Sequence, residues 1–353
     1  MIDDISINSK IGNYKVNLNL KIETLKFSEH VSIIDSFFQD TFKSTKTFSI
    51  NSNEGNKNLM TVENIIKFFK DQEVVRDDKI IAIGGGFIQD ISTLASSLYM
   101  RGISWIFIPT TLTAMIDSCI GGKSSLNVGS QKNLIGNFWP PIKIEIDPKF
   151  LETLPIEDKI AGLAEASKIC FARNVETFTK FLDNPSNLDP QDNAETLNLI
   201  NLSLLAKKWF IEIDEFDIKE RKLLNFGHTF GHALESATNF KINHGVAVAI
   251  GMLAESIHPN SGNSNLNTSL IEYLTKLLVP IRNYIGKGLA DIDWEEFDRQ
   301  IISDKKNTNS EFMLILPDSN GALQVCSFSK NEKNLKQNRD TMIKIMEKVS
   351  SGN

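Results

Sequence analysis

Leu224–Glu235 reads LNFGHTFGHALE and holds His228 and His232 four residues apart, with His244-Gly245 following soon after. On a helix that spacing puts both rings on one face, and His244 falls on a separate segment able to fold back toward them. Neutral imidazole is the commonest transition-metal ligand, so the pattern invites a metal. The plain alternative is two packed core histidines and a third at a turn, because H-x-x-x-H lacks the glutamate of the H-E-x-x-H motif. Glu165 and Lys168, three apart, would share a helical face; taken alone they read as a weak surface salt bridge. Gly84-Gly85-Gly86 could let bare backbone approach a pyrophosphate, or simply form a tight turn. Thr110-Thr111 offer two hydroxyls, and Asp117, Lys123 and Lys132-Asn133 follow around the Gly121-Gly122 turn.

Two kinds of chain must position these groups. Up to about Pro155, short β-branched segments alternate with helical ones. Tyr14–Leu20, Val31–Ile34, Lys79–Ile83, Ile103–Ile108 and Lys143–Ile146 read as strands, and Leu59–Phe69 and Ile88–Met100 as helices. That alternation predicts a mainly parallel sheet, whose ligands bind beyond the carboxyl ends of strands. After Pro155 the pattern turns helical, around 157–173, 193–213, 223–238 and 245–256, with a polar loop at Asn260–Thr268. Phe312–Leu316 and Leu323–Phe328 are expected to pair as a small hairpin, ahead of a last helix at about 331–348. The expected domains are an α/β one over 1–154 and an all-α one over 155–353.

The 353 residues carry 41% hydrophobic and 23% charged side chains and a net charge of −6, with a pI near 5.5. Such acidity argues against a nucleic-acid or membrane-surface partner. The start, Met1-Ile2-Asp3-Asp4, has neither the basic nor the apolar region of a signal peptide. Three scattered cysteines without a C-x-x-C pair fit reduced thiols, and the expected location is cytoplasmic.

The motifs also occur in a telling order: GGG-x-x-x-D (Gly84–Asp90), Met100-Arg101-Gly102, PTTLTAMIDSCIGGKSSLN (Pro109–Asn127), KNLIG (Lys132–Gly136), AGLAEASK (Ala161–Lys168), Arg221, LNFGHTFGHALE and HGVAVAIGM (His244–Met252). Over roughly residues 80 to 255 the chain strongly resembles the 3-dehydroquinate synthases, within the sugar phosphate cyclases. The resemblance implies an NAD-binding α/β domain, a helical domain carrying a divalent metal (zinc first, cobalt as the alternative), and a homodimer with its active site in the interdomain cleft. It implies Glu165, His228 and His244 as metal ligands, with His232 on the substrate side. It places Asp35, Glu54, Lys57, Gly85, Gly86, Asp90, Thr110, Thr111, Phe150 and Thr153 toward NAD, with Asp117, Lys123 and Lys132 serving both cofactor and substrate. Asn133, Lys168, Lys207, Arg221, Asn225, His232 and Lys306 would surround the substrate, and Arg101 would reach its phosphate across the dimer. So many cations suit a phosphorylated keto-acid sugar, whose carboxylate and phosphate both need charged partners.

In the family reaction NAD⁺ oxidises a ring hydroxyl, phosphate leaves by β-elimination, the hydride returns, and the ring opens and closes by an aldol step. Departures from the family pattern are Gln89 for a glycine in the glycine loop, Val246 for the glutamate of HGEAV, Gln131 for a glycine, and only eighteen residues between Asp35 and Glu54. The alternatives are a divergent sugar phosphate cyclase taking another heptulose or hexose phosphate, and a metal-dependent polyol dehydrogenase, which should lack the cluster of lysines and Arg221.

Overall fold

The computed structural model describes residues 2–22, 27–129, 131–187, 189–190 and 192–351. They fall into two compact units, Met1–Thr153 with Lys207–Phe216, and Leu154–Ala206 with Asp217–Asn353. A single cut at residue 154 therefore does not separate them.

The first unit holds β1 (Ile5–Ile7), β2 (Tyr14–Asn17), β3 (Ser32–Asp35), β4 (Thr47–Ile50), α1 (Leu59–Asp71), β5 (Lys79–Gly84), α2 (Gly86–Leu98), β6 (Ser104–Pro109), the hairpin β7 (Leu126–Val128) and β8 (Gln131–Ile135), and β9 (Lys143–Glu145). Seven strands form one sheet in the order β1-β2-β9-β6-β5-β3-β4. Every neighbour in it is parallel except β1 and β2. A parallel strand covered on both faces must be apolar throughout, and β5 is buried from Ile80 to Gly84. Ile34, Ile81, Ile83 and Ile108 pack with Phe27 and Phe42 in one core cluster, with Phe38 and Phe150 against it. Gly84 lies in register with Pro109, so the carboxyl ends of β5 and β6 sit side by side. Asp35 closes β3, the strand on the other side of β5.

The second unit contains α3 (Ile156–Arg173), α4 (Val175–Leu182), most of α5 (Asn193–Ile213), α6 (His228–Ala237), α7 (His244–Ile257), α8 (Asn265–Leu277), α9 (Arg282–Leu289), α10 (Trp294–Ser303), the hairpin β10 (Glu311–Pro317) and β11 (Leu323–Ser329), and α11 (Glu332–Ser351). It is helical but not all-α. Phe312, Leu314 and Leu316 alternate inward and bury one face of the hairpin, which a helix of that sequence could not do. The unit is built around α7, whose residues Gly245–Ser256 are all buried; a helix apolar on every side belongs in a core. Its glycines allow very close packing: a Cβ on Gly251 would stand 2.0 Å from the Gly227 carbonyl oxygen, and one on Gly245 2.6 Å from Ala161 Cα. The expected loop at 260–268 is shorter, because Ser264 accepts the Asn267 N–H and starts α8. Among the described residues, no helix is long and apolar enough to cross a membrane.

Candidate active site

Both His228 and His232 lie on α6, and His244 is the first residue of α7. The three rings converge: their centroids are 5.2 Å (His228–His232), 5.3 Å (His228–His244) and 5.5 Å (His232–His244) apart, and one nitrogen of each lies within 4.8 Å of the others. Glu165 Oε1 on α3 is 3.7 Å from His244 Nε2. Its other oxygen accepts from Lys168 Nζ. That pair is not a surface salt bridge, since the side chains are 2% and 3% exposed. The reason is α3 itself, buried continuously from Ile160 to Phe171. A buried pair is costly to break, because either partner alone leaves an uncompensated charge.

The donor chemistry fits a divalent ion. His228 Nδ1 lies 3.1 Å from the Phe226 carbonyl oxygen, and a carbonyl only accepts, so Nδ1 carries the proton and Nε2 keeps its lone pair. Burial, reinforced by Lys168 and the other two rings, holds the His228 pKa well below its usual value. The same burial, with His244 next, brings His232 to about 3. Desolvation works against a charge on His244, but the Glu235 carboxylate outweighs it and raises that pKa. Two neutral imidazoles, a third ring and a carboxylate are a zinc-compatible set.

Arg221 and Asn225 do not share a face of α6. Gly227 takes a left-handed φ of 77°, which separates α6 from a 3-10 helix over Glu220–Asn225. At three residues per turn, positions four apart do not eclipse. Arg221 is buried, whereas Asn225 donates to the Lys222 carbonyl. Lys306 pairs with Asp304 at 2.8 Å.

In the α/β unit the glycine turn meets the threonines. The Thr110 N–H donates to the Gly84 carbonyl, and a Cβ on Gly85 would stand 2.9 Å from Thr111 Cγ2. Gly85 caps α2 and Gly86 opens it. Next to them Lys57 Nζ pairs with Asp90 at 2.7 Å and donates to Asn133 Oδ1 at 2.9 Å. Burial raises the Asp90 pKa, against the pull of Lys57. Ser125 donates to Asp90 from both its N–H and its hydroxyl, and Asn127 Nδ2 donates to Glu54 Oε2, with Lys132 Nζ 3.6 Å from Glu54 Oε1. Expected cofactor and substrate residues thus form one network. Ser125 and Asn127 were not singled out from sequence, although both stand inside the quoted Pro109–Asn127 motif.

Asp117, on a π-turn over Ala114–Ser118, pairs with Lys207 at 2.8 Å. Lys123 Nζ lies 6.0 Å from the centre of the Phe138 ring. Asp35 accepts from the Phe37 N–H. Phe150 packs edge-on against Phe38, and the Thr153 hydroxyl donates back to its carbonyl. Arg101 is not gathered with these groups. It follows the far end of α2, whose 13 residues span about 20 Å at 1.5 Å each.

Residues 47–161 match the N-terminal 3-dehydroquinate synthase family model and residues 162–307 the C-terminal one. A 3-dehydroquinate synthase of Clostridium tetani is 34% identical over 305 residues, which is 86% of this chain and 78% of that protein. The chain belongs to the 3-dehydroquinate synthase family. Two solved sugar phosphate cyclases share the fold at lower identity. A 2-deoxy-scyllo-inosose synthase complexed with carbaglucose-6-phosphate, NAD⁺ and Co²⁺ superposes with a TM-score of 0.77 at 22% identity, covering 95% of this chain and 98% of that one. A 2-epi-5-epi-valiolone synthase from Streptomyces hygroscopicus subsp. jinggangensis 5008 with NAD⁺ and Zn²⁺ bound gives 0.73 at 22%, covering 98% and 99%.

Two departures from the family pattern have a structural account. Gln89 does not project into the glycine turn; it is 3% exposed, donating to the Ser118 carbonyl and accepting from the Ser118 hydroxyl. Val246 is fully buried on α7, and the carboxylate beside His244 comes instead from Glu235, at 2.9 Å. Glu235 was quoted in the histidine motif without a role, yet positions 228, 232 and 235 follow the i, i+4, i+7 spacing of one helical face.

Glu255, missed from sequence, lies on α7 behind Gly227 and accepts its N–H, while its Oε1 has no partner. Burial lifts its pKa from 4.5 to about 8. The unfolded chain ionises this acid above about 4.5 and the folded one only near 8. Its contribution to stability is therefore full below the lower value and lost as pH rises through the upper one. Glu255→Gln, which stays neutral, should match the parent at pH 4 to 5 and exceed its stability by pH 9, as read by urea unfolding across that range. A parent protein as stable as the variant at pH 9 contradicts this.

Proposed function

We propose that this chain converts 3-deoxy-D-arabino-heptulosonate 7-phosphate to 3-dehydroquinate and phosphate, with NAD and one divalent ion per subunit. The observation that carries the reading is the convergence of His228, His232 and His244 beside the buried Glu165–Lys168 pair, within a chain of this family. Glu165, His228 and His244 would hold the ion, and Asp35, Gly85, Gly86, Thr110 and Thr111 at the strand ends would hold NAD. When bound, NAD takes up and returns a hydride, and the ion polarises the oxygen being oxidised.

The chain's own groups bind and orient. Lys168 is fixed by Glu165, so its charge stays at a set position without a freely moving side chain. The buried Arg221 supplies a planar fork suited to a carboxylate. Lys306 and Asn225 offer further donors, and the neutral ring of His232 offers a hydrogen-bond acceptor. Lys207, pinned to Asp117, adds a cation for phosphate or carboxylate.

Incubation with NAD⁺, zinc and the seven-carbon keto-acid phosphate should release phosphate, with product in many-fold excess over NAD and no net NADH. Sedoheptulose 7-phosphate, which lacks the carboxylate, should react far more slowly, and Arg221→Lys should weaken the preference because the fork is lost while the charge stays. Preferred cyclisation of sedoheptulose 7-phosphate or glucose 6-phosphate would point to a divergent cyclase. Stoichiometric NADH would point to a polyol dehydrogenase.

A further inference from the structure

In the helical unit, the backbone at His244 is held from three directions. Asn243 caps α7 by accepting the Val246 N–H, donates its own N–H to the Tyr284 hydroxyl at 2.7 Å, and donates from Nδ2 to Asp158 Oδ1 at 3.0 Å. None of these bonds fixes the ring. An imidazole on the first residue of a helix can still turn about χ1 and χ2 and can carry its proton on either nitrogen. The first turn of α7 supplies no polar partner from Val246, which is fully buried. The ring's partner is Glu235 Oε2, 2.9 Å from Nδ1. Glu235 is itself 8% exposed and sits on α6, the helix that carries His228 and His232.

An ionised carboxylate can only accept, so the Glu235 contact puts a proton on His244 Nδ1, and in the neutral ring that binds a metal the Nε2 lone pair is then free. Nε2 is the nitrogen that faces Glu165 Oε1. His228 is set in the same way by the Phe226 carbonyl. Outer partners of this kind fix the tautomer and orientation of a metal-binding histidine and raise its basicity.

We propose that Glu235 is the positioning residue of the metal centre: supplied from α6 rather than from α7, it locks His244 with Nε2 presented to a divalent cation. This inference rests on the metal reading above. The test is zinc affinity, measured by competition with a chromophoric chelator on the full chain. The ligand-field absorption of the Co²⁺-loaded protein is recorded alongside. Glu235→Ala should weaken zinc binding by about 10–100-fold and shift the Co²⁺ bands, since the ring is no longer held. Glu235→Gln keeps the volume and one accepting oxygen but removes the charge, so a loss near the lower end of that range is expected. It also serves where the alanine variant fails to fold, as checked by thermal unfolding without metal. Zinc affinity and Co²⁺ spectrum unchanged in both variants overturn the proposal. The metal reading fails separately if the parent chain binds no divalent ion, or binds it equally well after His228→Ala/His244→Ala, and the Glu235 proposal falls with it.

Discussion

Replacing His228 and His244 together with alanine is expected to remove bound metal and to lower turnover by orders of magnitude. The expectation follows from convergence. Each ring has one nitrogen tied, to the Phe226 carbonyl or to Glu235, and the other left for the shared centre. With both gone, Glu165 stays paired to Lys168 and His232 stands alone, which is too few donors for a tetrahedral zinc site. The loss should exceed the 10–100-fold typical of outer partners. Metal analysis of the purified variant beside steady-state phosphate release checks it. Full metal occupancy in the double variant would remove these residues from the ligand set.

Gly251→Ala should be among the most damaging single substitutions. By helix propensity alone, alanine inside α7 would be favoured by about 1 kcal/mol. Against that, the new Cβ would lie 2.0 Å from the Gly227 carbonyl oxygen and 2.8 Å from the Gly231 nitrogen. Both are backbone atoms, so no side chain can rotate away, and α6 would have to shift bodily. Overpacking ordinarily costs about 1–3 kcal/mol, and a backbone clash of this depth should reach or pass the upper value. Because α6 carries His228 and His232, metal affinity should fall with stability. Urea unfolding and zinc titration on the same preparation measure both. A variant as stable as the parent would show that the helices have room to separate.

Much of this was legible in the chain because burial writes itself into sequence where elements are long. Ile80–Ile83 and Trp105–Ile108 announce central strands through unbroken apolar runs, and the helix expected around 193–213 coincides with α5. β1 and β4, the two edge strands of the sheet, went unread. The helices α4, α9 and α10 also went unread. At the site, the His228/His232 face followed from spacing alone. The break before α6 did not, because the left-handed turn at Gly227 is set by packing against α7. Nor could spacing reveal that Glu165 and Lys168 are buried, since an i, i+3 pair looks the same on a surface as in a core.

The last turns of α5 belong with the sheet rather than with the helices around it, and residues 207–216 complete the unit begun at the N-terminus. Glu212 and Glu215 there accept the Asn8 and Lys10 N–H groups, and Lys207 answers Asp117. During synthesis, then, the N-terminal unit cannot finish when residue 153 emerges. It must wait for some 60 more residues, several seconds at roughly 5–20 residues per second, before Lys207 can reach Asp117. The same stitch bears on heredity: a single genetic crossover between two relatives near codon 154 would pair one parent's sheet with the other's closing helix. Exchange of either unit intact requires three junctions, near 154, 207 and 217.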